Sequence, residues 1–177
     1  MDKTTDIEAA IEDISKNYSH LTTECKIELK QCCKLIYRDK LSIIIKEGQL
    51  TDKMYFIISG FFRAYYHKQD KQITDWFGFE GDFMSSMNGF HQSITSKHSI
   101  ELLEPTIFLE IPREAILNLL DKHHSFERLA RVAVTKTMLK LQQRIVSIIY
   151  YIMPVNIRPG KQRLRLALST NLRSILS

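Results

Sequence analysis

The chain has 177 residues, 44% hydrophobic and 25% charged, with a formal net charge of +5. That is ordinary for a soluble, well-cored protein, and it is long enough for one globular domain plus an extension but not for two full-sized domains. No apolar run approaches the roughly 20 residues of a membrane helix, and Met1-Asp2-Lys3-Thr4-Thr5-Asp6 lacks the basic-then-apolar layout of a secretion signal, so a cytoplasmic protein without a membrane partner is expected.

Ile7, Ile11, Ile14, Tyr18 and Leu21 recur at four, three, four and three residues, the spacing of an amphipathic helix. Thr22 or Thr23 caps a second helix, expected over residues 24–39. Within it Cys25, Leu29, Cys32 and Ile36 share one face. Three cysteines (Cys25, Cys32 and Cys33) this close together are a poor disulfide framework, and their spacing matches no zinc or iron–sulfur ligand set. Two readings stay open for them: small core hydrophobes, or a redox or cluster-binding role.

From Leu41 the pattern changes to short β-branched and aromatic runs, Ile43-Ile44-Ile45, Tyr55-Phe56-Ile57-Ile58 and Phe61 to Tyr66. They are punctuated by Gly48, Asp52, Gly60, Asp70, Gly78 and Gly81, as in an all-β sandwich or barrel. Ser99 to Leu103 and Thr106 to Ile111 read as closing strands with Pro105 between them. Pro112 then opens a helix whose buried side is Ile116, Leu117, Leu119 and Leu120. Ser125 caps a longer helix, in which Val134, Met138, Leu141, Ile145, Ile148 and Ile152 form an unbroken seam at alternating four- and three-residue steps. So narrow a stripe pairs with a copy of itself or packs on its own barrel. Pro154 ends the pattern. Beyond it, Arg158, Lys161, Arg163, Arg165 and Arg173 supply the whole net charge, with no acidic residue over 156–177. Such a tail approaches nucleic acid or anionic lipid, or is simply solvated.

Several of these strings carry a family resemblance. Met54 to Gly60, with Gly48 and Asp52 before it and Arg63 after it, is similar to the glycine-ended strand of the Crp/Fnr superfamily of transcription regulators. Gly81-Asp82-Phe83 resembles the turn leading into that family's phosphate-binding cassette, and Glu104-Pro105 through Ile111 resembles its last strand. The order of two helices, barrel, short helix and seam helix resembles its effector domain over roughly residues 20–153. The expected fold class is α+β: a cyclic-nucleotide-binding-type β-barrel (jelly roll) flanked by N-terminal helices and a long C-terminal dimerisation helix. The expected divisions are 1–121 for the barrel with its N-terminal helices, 122–153 for the dimerisation helix and 154–177 for a short basic tail.

The resemblance implies a homodimer with a small, nucleotide-like effector inside the barrel, roofed by the long helix. In nucleotide-binding members, a Gly-Glu-Leu segment meets the ribose hydroxyl and an Arg-Ser/Thr pair holds the cyclic phosphate. A carboxylate accepts from the hydroxyl, and a guanidinium gives the phosphate two parallel hydrogen bonds. Aligned from Gly81-Asp82-Phe83, this chain has Ser85-Ser86 where Gly-Glu is expected and Ser96-Lys97 where Arg-Ser is expected. Lys97 offers one positive charge without the fork. Losing contacts to charged groups at roughly 1.5–3 kcal/mol each argues against cyclic AMP held in the standard way. The effector-pocket candidates are therefore Gly81, Asp82, Ser85, Ser86, Ser96 and Lys97, with Gln142 on the long helix. Met84, Met87, Phe90 and Ile94 around the cassette either fill the pocket themselves or are ordinary core.

In the superfamily a winged helix-turn-helix domain follows the dimer helix. Only 23 residues follow Pro154, and no helix-turn-helix is evident among them, so sequence-specific DNA binding by this chain alone is not expected. A cupin-type enzyme would cluster its metal-binding histidines, whereas His67, His91, His98, His123 and His124 are scattered. No catalytic residue, metal ligand or resident cofactor is assigned. The leading expectation is a dimeric regulatory sensor, with an effector-free dimerisation module from a truncated regulator as the alternative.

Overall fold

The computed structural model describes residues 3–152, apart from the side chains at 3–6, 87, 88, 91, 151 and 152. The basic tail, Pro154, and the side chains of Met87, His91 and Ile152 therefore lie outside the described residues. The chain divides into a compact unit of residues 1–135 and a second unit of residues 136–177.

Helix α1 (Lys3–Asn17) buries Ala10, Ile11 and Ile14. Tyr18 and Leu21 continue its apolar face beyond its last residue. Helix α2 (Thr23–Cys32) is capped by Thr22, whose hydroxyl accepts from the Cys25 amide at 3.4 Å. Glu24 in its first turn and Lys30 in its last suit the helix dipole. Ion pairs Glu12–Lys26, at 2.6 Å, and Glu8–Lys30 tie α1 to α2.

The expected helix over 24–39 is cut short. After Cys33 the chain turns extended and forms β1 (Lys34–Arg38), which pairs antiparallel with β8 (Thr106–Pro112). Backbone partners some 70 positions later thus override a periodicity that a helix would also satisfy. Cys25 and Leu29 do face inward, but Ile36 leaves that stripe and packs between the sheets.

The remaining strands are β2 (Ile43–Ile45), β3 (Lys53–Ser59), β4 (Phe62–Lys68), β5 (Lys71–Gly78), β6 (Phe83–Met84) and β7 (Ser99–Leu102). They make two four-stranded sheets, ordered β1-β8-β3-β6 and β2-β7-β4-β5, a jelly-roll sandwich. Gln69 and Asp70, with φ of 50° and 60°, make the two-residue turn of the β4–β5 hairpin, a geometry that needs positive φ at both positions.

The sheets differ in what covers them. In β3, Tyr55 and Ile57 point between the sheets while Phe56 points to the helices, so all three are buried. That explains an apolar run without alternation. The inter-sheet core also contains Phe62, Ala64, Met84, Ile100, Leu102 and Phe108, with Trp76 packed against it. The outer face of the second sheet carries Arg63, whose Nε donates to Glu101 Oε2 at 2.6 Å and whose guanidinium lies 4.6 Å from the Tyr65 ring centre.

A short helix, α3 (Met87–Gln92), follows β6, and α4 (Arg113–Lys122) follows β8. Pro112 is the last residue of β8 rather than the first of the helix. Ile116 and Leu119 are buried and Leu120 is half-buried, but Leu117 is 38% exposed, so it does not belong to the buried side. Helix α5 (His124–Ile152) begins one residue before Ser125, and the His123 carbonyl takes the Phe126 and Glu127 amides in place of a serine cap. Phe126 and Leu129 join the core shared by α1, α2, α4 and the first sheet.

Candidate functional site

The candidate site is where the loop after β2, the end of β4 and the loop between α3 and β7 meet. Glu47, Gly48, Tyr66, Ser96, Lys97 and His98 line an open cleft of about 550 Å³ there. Backbone bonds fix its two loops to each other: Gly48 N–H donates to Ser96 O and Ser96 N–H to Gln49 O, both at 2.8 Å. The Ser96 hydroxyl is buried and closed on its own loop, donating to His98 O at 2.7 Å and accepting from His98 N–H at 3.2 Å. A hydroxyl occupied in this way has little left to offer a ligand. Lys97 is exposed at the rim, where its ammonium adds a positive charge.

Two carboxylate–histidine pairs flank the cleft. Glu47 Oε2 accepts from the His67 backbone N–H at 3.2 Å and lies 3.0 Å from His67 Nδ1. Those hydrogen bonds, with the nearby charges of His67 and His98, hold the Glu47 carboxyl below the usual carboxylate range. Asp75 Oδ2 lies 3.0 Å from His98 Nε2, and the His98 ring meets Tyr66 edge-on at 5.7 Å. Glu47 N–H also donates to Ser99 Oγ at 3.0 Å, tying the wall to β7.

The other sequence candidates are turn and core residues. Gly81 takes φ of 81°, its N–H donates to Ile57 O at 2.8 Å, and its carbonyl accepts the Tyr18 hydroxyl at 2.8 Å. Asp82 Oδ2 accepts from the Phe79 N–H at 3.1 Å, closing the same turn. Ser85 and Ser86 are buried; Ser85 Oγ donates to Lys53 O at 2.7 Å, and Ser86 Oγ accepts from the Gly89 N–H at 3.3 Å. Gln142 lies exposed on α5 within the second unit. Of the seven candidates, the structure places Ser96 and Lys97 on the cleft, and Gly81, Asp82, Ser85 and Ser86 outside its lining. Glu47, Tyr66 and His98 are not among the sequence candidates for the pocket, because they come from three separate segments and no local spacing joins them.

The space between the sheets is occupied by side chains. Trp76 and Phe62 meet edge-to-face at 5.1 Å, and Met84 is fully buried beside them. Phe90 is also buried, but in the core on the helix side, while Ile94 is 50% exposed. Of the four apolar cassette residues, then, Met84 fills the barrel interior, and neither Phe90 nor Ile94 is part of it.

The three thiols are free, and burial pushes all of them up, Cys33 to about 11. Among the described residues, no three His, Cys, Asp or Glu side chains gather as a metal site would require. No helix there is long and apolar enough to cross a membrane.

On α5, Val134, Met138, Leu141, Ile145 and Ile148 are all 45% exposed or more. Leu139, Val146 and Tyr150 are exposed apolar residues as well, so the apolar surface is wider than the seam alone.

Comparison with known proteins agrees with this fold. No curated protein matches the chain. Among solved structures it is similar to a cyclic nucleotide-binding domain from Methylobacillus flagellatus, with a TM-score of 0.71 and 14% identity over 87% of this chain and 88% of that one. It is also similar to the sensor domain of the transcriptional regulator DNR from Pseudomonas aeruginosa (TM-score 0.59, 17% identity, covering 83% and 99%). A third is the Catabolite Activator Protein of Thermus thermophilus (TM-score 0.61, 17% identity), of which this chain covers 62% while 78% of its own length is matched. At these identities the likeness is one of fold. The match to the family named Cyclic nucleotide-binding domain runs over residues 38–123, from the end of β1 through the cleft loops to the end of α4, and over that span the chain is similar to that family.

Proposed function

We propose that the chain is the regulatory sensing part of a Crp/Fnr-type regulator, acting as a cytoplasmic homodimer through α5, with an effector other than cyclic AMP held by the standard charged contacts. The observation that carries this reading is Ser96. Where the resemblance expects a guanidinium, there is a buried hydroxyl whose bonds are spent on the His98 backbone. Ser86 stands where a carboxylate is expected, and its oxygen takes the Gly89 amide. Neither position supplies charge to a phosphate or a ribose.

The cleft supports an effector less charged than a cyclic nucleotide, met by Lys97, Tyr66 and the carboxylate of Glu47. The exposed apolar face of α5 supports self-association, since exposed apolar residues at seam spacing gain stability by burial against a second copy. Isothermal calorimetry with cyclic AMP and cyclic GMP tests the ligand claim: no heat of binding is expected up to about millimolar nucleotide, about 4 kcal/mol of affinity. Micromolar binding of either would overturn it.

The filled inter-sheet core favours a second reading, an effector-free dimerisation module. A thermal-shift screen of small anions, amino acids and nucleotides separates the two. Stabilisation that Lys97→Met or Tyr66→Ala abolishes supports a sensor, and no stabilisation by any compound supports the module.

A further inference from the structure

One residue, His123, lies between α4 and α5, and it belongs to both. Its N–H donates to Leu119 O at 3.0 Å, closing the end of α4, and its carbonyl accepts the Phe126 and Glu127 amides, opening α5. Its side chain is 14% exposed, and its buried Nε2 lies 3.3 Å from Glu28 Oε1 on α2, with an alignment outside hydrogen-bond geometry. A buried polar atom without a hydrogen bond is uncommon and costly. Here it faces a carboxylate, so its energy depends on the charge of the ring.

Glu28 also takes Lys122, the last residue of α4, on its other oxygen at 3.2 Å. Lys122 and His123 together hold the Glu28 carboxyl below the usual carboxylate range. The other ionisable groups around the joint are the His124–Glu127 pair on the first turn of α5, at 2.9 Å, and the Cys25 and Cys32 thiols of α2, whose protons burial retains. Lys122 therefore supplies a constant attraction to Glu28. The imidazole supplies one only when its ring carries a proton.

We propose that His123 and Glu28 form a protonation-dependent latch that fixes the α4–α5 joint to α2. With the ring protonated, a full positive charge sits against Glu28 Oε1 and the joint is held. With the ring neutral, either a lone pair faces the carboxylate or a poorly aligned N–H does, and the joint loosens. No other contact of the joint needs to change, because its backbone bonds and the Lys122 pair are indifferent to this proton.

The test is hydrogen exchange by mass spectrometry on the full chain at pH 5.5 and pH 8.0, read as protection factors of the amides at residues 123, 126 and 127. It runs alongside an NMR titration of the His123 ring. In the unsubstituted protein, protection should fall by roughly fivefold as the ring loses its proton, the scale of one partly exposed ion pair. Glu28→Gln should abolish that fall. Lys122→Met should lower protection equally at both pH values, and His124→Gln should leave the fall intact. The Glu28 side chain is 38% exposed and glutamine has nearly the same shape, so Glu28→Gln should keep the fold. An equal fall in Glu28→Gln, its loss in His124→Gln, or constant protection while His123 titrates would each overturn the latch.

Discussion

The ring of Phe62 lies so close over Gly78 that a methyl group at residue 78 would sit inside van der Waals contact of its Cζ and Cε1 atoms. The two are cross-strand partners in the β4–β5 ladder, and Phe62 is fully buried, with Trp76 edge-on to its ring. The glycine is what lets an aromatic side chain occupy the space between the sheets. Gly78→Ala should therefore destabilise the fold by about 1–3 kcal/mol, the usual cost of overpacking a filled core. A urea titration would show a lower midpoint at an unchanged slope. An unaffected midpoint would mean that the interior has room for a ligand.

Tyr18 links the end of α1 to the Gly81 turn through its hydroxyl, and its ring meets Phe83 at 5.1 Å. Tyr18→Phe keeps the ring contact and removes the hydrogen bond, which should cost about 1 kcal/mol. Burial first, then the charge of Asp82, pushes the Tyr18 phenol up to about 12 from 10.0. Because the folded value lies above the unfolded one, the stability linked to this proton is fully present below pH 10 and lost as pH rises toward 12. Urea titrations between pH 9 and 12 should show a fall in stability that is shallower in Tyr18→Phe. Tyr55, also pushed up to about 12, supplies the part that remains.

Met138 and Ile145 are 62% and 58% exposed on α5, so replacing them should leave residues 1–135 folded. Sedimentation equilibrium should give a dimer for the unsubstituted chain. Met138→Asp and Ile145→Asp should weaken it at least tenfold each, because a charge placed on an apolar seam must be desolvated without a partner. Equal dissociation constants in variant and parent would remove α5 from the interface.

Lys97 is exposed at the cleft rim, so Lys97→Met should change stability by no more than about 0.5 kcal/mol. Ser96→Ala is the contrasting substitution at the neighbouring position. It removes a buried hydroxyl that both donates and accepts, and should cost about 1–2 kcal/mol. Thermal melting of the pair checks this: two equal shifts would mean that Ser96 does not hold its loop.

The parts of the fold legible from spacing were those whose pattern reports local geometry. Ile7, Ile11 and Ile14 mark a helix face, and Met54 to Gly60 reads as a strand closed by a glycine turn. Strand β1 escaped notice because the Cys25–Ile36 spacing is equally good for a helix, and its pairing partner is β8, far along the chain. Strand β5 has no alternation of apolar and polar residues, because its place in the sheet is set by the hairpin turn at Gln69-Asp70. In the candidate site, the missing guanidinium and carboxylate were visible as Ser96 and Ser86. That those hydroxyls are already bonded was not, since their partners are chosen by loop geometry.

Local spacing thus set α1, the start of α2, α4, α5 and most of the strands, since hydrogen bonds within a few residues and the periods 3.6 and 2.0 depend on nearby residues alone. The absent charges of the cassette were equally a matter of residue identity. Contacts between distant segments decided the rest: that the space between the sheets is filled, that Glu47, Tyr66, Lys97 and His98 share one cleft, and that His123 faces Glu28 across a helix joint. Burial and charge environment arise only when segments meet, and no periodicity along the chain records which segments those will be.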